Sequence, residues 1–136
     1  MKFLLMMHAP RGTGDWGVAD WTPERLQAHI DFMMKLNKEL VAEGVLVAAE
    51  GLATPGEARI VRAAKDGAPV VTDGPYPEAK EFLAGYWMVD VENPEQAYRI
   101  AARASIAPGK DGAPMNIPIE IRQVMRGPGD EGCAQG

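Results

Sequence analysis

Two segments of this chain open in the same way, and they constrain the fold more than any other feature. Thr22-Pro23 and Asn93-Pro94 each set a capping side chain before a proline at the first helical position, where no amide donor is needed. After the first, Leu26, Ile30, Met33, Leu36, Leu40 and Val41 recur at helical spacing, with Asp31, Lys35, Lys38 and Glu39 on the opposite side. Gly44 stops this helix. After the second, Gln96 supplies the other half of a capping box, and Ala97, Ile100, Ala101 and Ala104 make a narrow small-residue face suited to close packing. Each helix has one apolar face, and each therefore needs a sheet to cover.

The strands lie around these helices. Lys2 to His8 is a short apolar run ended by Ala9-Pro10-Arg11-Gly12, which reads as a buried strand. Val45 to Glu50 reads as a second. Arg59 to Ala64 and Pro69 to Thr72 flank Lys65-Asp66-Gly67-Ala68, and Asp-Gly predicts a hairpin. Glu78 to Leu83 reads as one short helical turn and Tyr86 to Val91 as the next strand. Ile117, Ile119 and Ile121 alternate in a last strand running toward Met125, where Pro118 demands an edge position or a late start.

A chain of 136 residues suits one domain. Its boundary is expected at residues 1–125, with the Gly-rich 126–136 as a mobile tail. The class is α+β, and a ferredoxin-like βαββαβ arrangement with an inserted β-hairpin is the economical topology. Two helices on one face leave the other face bare, and a second copy is its simplest cover. A homodimer with facing sheets, a dimeric α/β barrel, is therefore expected.

Composition excludes several classes. Fourteen basic residues against nineteen acidic give a net charge of −5, so a basic footprint for direct nucleic-acid binding is absent. Cys133 stands alone, so neither an internal disulfide nor a thiolate metal cluster can form, and a reducing cytoplasm fits. Phe3 to Met7 is too short for a membrane span or a signal-peptide core. His8 and His29 lie far apart without metal-ligand spacing, so no metal is expected. Phosphate-loop, dinucleotide and nucleophile-elbow motifs are missing, and no cofactor is expected.

The stretch Asp73-Gly74-Pro75-Tyr76-Pro77-Glu78-Ala79-Lys80-Glu81, followed by Gly85-Tyr86, resembles the signature of the DGPF-type, YciI-related (YCII) family. It departs from the family wording at Tyr76, Pro77, Ala79 and Ala84. Met1 to Leu5, Gly44-Val45-Leu46, Glu50-Gly51-Leu52, Val71-Thr72 and Glu120 to Met125 are also similar, so the resemblance spans roughly residues 1–125. It implies a dimeric ferredoxin-like α/β barrel. It implies no single reaction, because related barrels serve several chemistries. In the wider group a His–Asp pair is a proposed active site, and some relatives are linked to sigma factors.

Candidate site residues follow from their chemistry. Asp73 ends a strand before Gly-Pro, placed to act as a general base or to close its own turn. Lys80 can anchor an anion or pair with Asp73. His8, at the end of the first strand, can shuttle protons as Asp73's partner. Glu50, Arg62, Tyr76, Glu81 and Tyr86 are candidate substrate contacts, against the plainer readings of edge-strand ion pairs and core aromatics. His29 is expected at the surface of the first helix. Trp16 and Trp21 mark a loop suited to a lid, a partner contact or core packing. Two functions follow: a small-molecule-binding or cofactor-free acid–base enzyme with a cleft near the Asp73–Glu81 loop, or a non-catalytic dimeric regulator linked to sigma-factor-dependent transcription.

Overall fold

The structure, a computed structural model, describes residues 1–10, 21–74 and 80–126. Trp16, Tyr76, Cys133 and most of the expected tail lie outside these residues. The elements run β1 (Lys2–Pro10), α1 (Pro23–Ala42), β2 (Leu46–Gly51), β3 (Arg59–Ala63), β4 (Pro69–Asp73), β5 (Glu81–Asp90), α2 (Pro94–Ser105) and β6 (Ile119–Gln123). A four-stranded sheet has the order β2-β5-β1-β6, with every neighbouring pair antiparallel, while among the described residues β3 and β4 pair only with each other.

Both helix starts form as their caps dictate. Thr22 accepts from the Arg25 amide, and Asn93 accepts from the Gln96 amide, each with proline next in the chain. Gln96 reaches back to accept from the Glu92 amide at 2.6 Å. At the end of α1, Gly44 takes a φ of +77°, the left-handed conformation that lets its amide and that of Val45 bond back to Val41 and Leu40.

One core lies between the helices and one face of the sheet. Leu36 and Leu40 of α1 and Ala97, Ile100, Ala101 and Ala104 of α2 pack on Phe3, Leu5, Met7, Trp87 and Val89. Alternation along the strands explains the choice, since Phe3, Leu5 and Met7 share one face and Leu4, Met6 and His8 the other. Arg103 joins the helices at the rim, donating through both terminal nitrogens to Glu43 at 3.1 and 3.0 Å. That bond raises the already high pKa of Arg103.

Two local expectations change, and one at Pro118 is met. Glu81 to Leu83 is strand, not helical turn: β1 runs on to Pro10 and pairs with β5 as far as Glu81. For the same reason the strand expected at Tyr86 begins five residues earlier. The last strand starts late, at Ile119, one residue past Pro118, and lies at the sheet edge where a missing donor is tolerated. The Asp-Gly hairpin forms as expected, with Gly67 at a φ of +87°. Among the described residues, no helix is long and apolar enough to cross a membrane.

Gly51 and Gly85 face each other across β2 and β5. A Cβ on Gly85 would sit 2.9 Å from the Glu50 carbonyl oxygen, which is backbone and cannot swing away. Gly85→Ala is therefore expected to cost about 1–3 kcal/mol, the usual range for overpacking, measured by urea unfolding. A variant as stable as the parent would show that the two strands yield freely at this row.

Candidate functional site

Beneath α1 lies a pocket of about 220 Å³. Its roof is one helix stripe, His29, Met33 and Asn37, spaced four residues apart and so aligned along one side. Its floor includes Met7, Ala49, Ala84, Gly85 and Trp87, with Gly51 and Leu52 toward the strand end. The glycine pair makes the room. On this face of the row Gly51 and Gly85 present no side chain, and a Cβ on Gly51 would meet nothing within 4 Å.

A β-bulge shapes the same spot. Met7 pairs with Gly85 and His8 with Leu83, so Ala84 is the extra residue of β5. In a regular strand, consecutive residues point to opposite faces. The bulge breaks this rule, and Ala84 and Gly85 both enter the pocket wall.

The polar groups of the roof are tied down. His29 Nδ1 lies 3.0 Å from the Pro108 carbonyl oxygen, and the ring meets Trp21 edge-on at 5.4 Å. His29 is thus half-buried rather than at the surface, because the loop after α2 folds against it. Trp87, 5% exposed, donates its indole N–H to Asn37 Oδ1 at 2.9 Å.

The residues nominated by the sequence fall in three places. His8, Glu50 and Tyr86 lie on the open face of the sheet: Glu50 opposes Tyr86, Tyr86 opposes Met6, and Met6 opposes Glu120. Glu50 and Tyr86 also border the pocket, and the register assigns that contribution to their backbones. His8 pairs with Glu120, Nε2 to Oε1 at 3.1 Å, and not with Asp73. Asp73 and Arg62 lie on the β3–β4 hairpin. The Asp73 side chain is 96% exposed and stands 3.7 Å from Arg59 Nε, its cross-strand partner, and Arg62 is exposed opposite Val70. Lys80 and Glu81 are exposed at the start of β5. Tyr76 is outside the described residues.

Sequence reasoning missed His29, Asn37, Gly51 and Gly85. The available signal was the spacing 29, 33, 37, which puts two polar residues on the helix side that also carries Met33. Among the described residues, no group of three or more acidic, histidine or cysteine side chains is placed to hold a metal.

A family model, the YCII-related domain, matches residues 1–116. The chain belongs to the YCII-related family. No curated protein matches it. The matched span includes both helices and all the described strands but β6, and with them every described wall residue of the pocket in this YCII-related chain.

Exposure decides how Asp73 bears on stability. An ion pair this open to solvent contributes little. Asp73→Ala is expected to change unfolding free energy by no more than about 0.5 kcal/mol, in the range of ordinary surface substitutions. A loss above about 1 kcal/mol in urea unfolding would mean that the carboxylate makes a buried bond.

Proposed function

We propose that this YCII-related chain is a small-molecule-binding protein whose ligand lies beneath α1, and that two copies assemble through the open face of the sheet. The observation that carries the first part is the facing glycine pair. Two strands that omit both side chains at one row, beneath a helix stripe bearing histidine and asparagine, leave a largely apolar recess with a few fixed polar groups. That is the usual constitution of a ligand site. Among the described wall residues His29, Glu50 and Tyr86 are titratable, and register turns the last two to the opposite face, so any acid–base chemistry in the recess falls to His29 first. The mouth near Leu52 and Ala84 is a few residues along β5 from the Asp73–Glu81 segment, where the DGPF-type signature lies.

The strand order β2-β5-β1-β6 with both helices on one face supports a ferredoxin-like βαββαβ unit carrying the β3–β4 hairpin as an insertion. Leu4, Met6, Leu83, Tyr86 and Met88 on the opposite face are only half-buried in a single copy, which supports a second copy as their cover. In that arrangement His8, Glu50 and Tyr86 face the space between the copies, and Asp73 and Lys80 flank the approach to β5.

Gly51→Val tests the ligand site. A Cβ at Gly51 meets nothing within 4 Å, so the added side chain starts into open space, and the variant should stay folded and lose ligands. A small-fragment screen by protein-observed NMR is expected to give hits that shift Met33 and Trp87 in the parent and vanish in Gly51→Val. Hits that persist unchanged in the variant would move the site elsewhere. For assembly, sedimentation equilibrium is expected to give twice the 14.7 kDa chain mass at micromolar concentration, and Met6→Glu, at the centre of the open face, to give single chains. A monomeric parent would remove the facing-sheet arrangement.

A further inference from the structure

Resting on the pocket reading above, we infer that the pocket selects an uncharged, flat ligand with a hydrogen-bond donor at its His29 end and an acceptor at its Asn37 end. The two ends are polarised by the bonds that hold them. A carbonyl oxygen only accepts, so His29 Nδ1, 3.0 Å from Pro108 O, carries the proton. In the neutral ring this leaves Nε2 as an acceptor, and among the described residues it has no hydrogen-bond partner. Indole nitrogen only donates, so the 2.9 Å bond from Trp87 fixes Oδ1 of Asn37 as the acceptor and leaves Nδ2 as a donor.

His29 and Asn37 are eight residues apart, about 12 Å along the helix at its usual rise. Between them the roof is Met33, and below lie Met7, Ala49, Trp87 and the two glycines. Thioether and indole surfaces favour an aromatic or conjugated body. A volume of about 220 Å³ holds about seven waters at their liquid spacing, room for a single ring with short substituents.

Charge decides against an acid. Among the described residues no lysine or arginine lines the wall, and the one carboxylate residue there, Glu50, turns its side chain to the opposite face by register. A carboxylate or phosphate entering here would lose its hydration with no cation among the described wall residues to replace it. Three probes of nearly one shape separate these features: 4-hydroxybenzamide has both ends and no charge, benzamide lacks the donor end, and 4-hydroxybenzoate replaces the amide by a carboxylate.

Titrated by NMR on the full chain, 4-hydroxybenzamide is expected to shift Met33 and Trp87 and to bind about tenfold more tightly than either analogue, the factor one good hydrogen bond supplies. His29→Phe keeps a ring against Trp21 and should erase the advantage over benzamide. Asn37→Asp keeps an acceptor for the Trp87 indole and removes the donor. It should weaken 4-hydroxybenzamide about tenfold, with the indole N–H resonance unmoved as the check on folding. Equal or tighter binding of 4-hydroxybenzoate overturns the inference, as does failure of all three probes at millimolar concentration. If all three fail while screened fragments still occupy the pocket, only the ligand class falls. If 4-hydroxybenzamide binds equally well to Gly51→Val, the pocket reading falls with it.

Discussion

The ladder between β1 and β5 is the interaction on which the rest depends. It runs from Lys2 opposite Asp90 to Pro10 opposite Glu81, the longest pairing in the sheet, and both remaining strands attach to its outer edges. Its register sorts every side chain of the two central strands between a helix-covered face and an open one. Val89 and Leu5 are fully buried and Trp87 nearly so because this register turns them toward α1 and α2. The N-terminal amine closes the end of the ladder, donating to the Val91 carbonyl at 2.7 Å and pairing with Asp90 at 3.1 Å.

That sorting separates the candidate residues. A central first strand suggested that His8 reaches Asp73, and a folded-back segment that Lys80 does, but strand alternation and the hairpin act on each independently. His8 follows Met7 in the chain yet faces away from the pocket that Met7 enters. Glu120 reaches it because β6 lies beside β1, and Met6 opposes Glu120. Asp73 ends the two-stranded β3–β4 hairpin, where its cross-strand neighbour is Arg59.

What the sequence made legible was local. Caps, prolines and Asp-Gly specify chain geometry within a few residues, and α1, α2 and the β3–β4 turn formed where those signals stood. The small face of Ala97, Ala101 and Ala104 announced close helix–sheet packing, and these residues are buried. What escaped was set by distant partners. Glu81 to Leu83 has no strong strand pattern of its own and is extended because β1 is long enough to pair with it. His29 stands beside exposed Ala28 and Ile30, and only the arrival of Pro108, 79 residues later, encloses it. Gly51 was legible as the start of the turn after a strand, and Gly85 as the residue before a strand. That they oppose each other follows from a register no local motif encodes.

The bulge acts on both faces of the sheet. Had β5 paired regularly past Gly85, Ala84 would oppose His8 and turn to the open face, and Leu83 would oppose Ala9 and turn beneath the helices. A leucine there would stand at the floor of the recess that Ala84 and Gly85 now leave open. The extra residue instead sends Leu83 to the apolar open face beside His8 and puts two minimal side chains in succession under His29 and Met33. A single insertion in one ladder thus enlarges the pocket on one side of the sheet and the bare apolar surface on the other. The two halves of the functional proposal therefore share one structural cause.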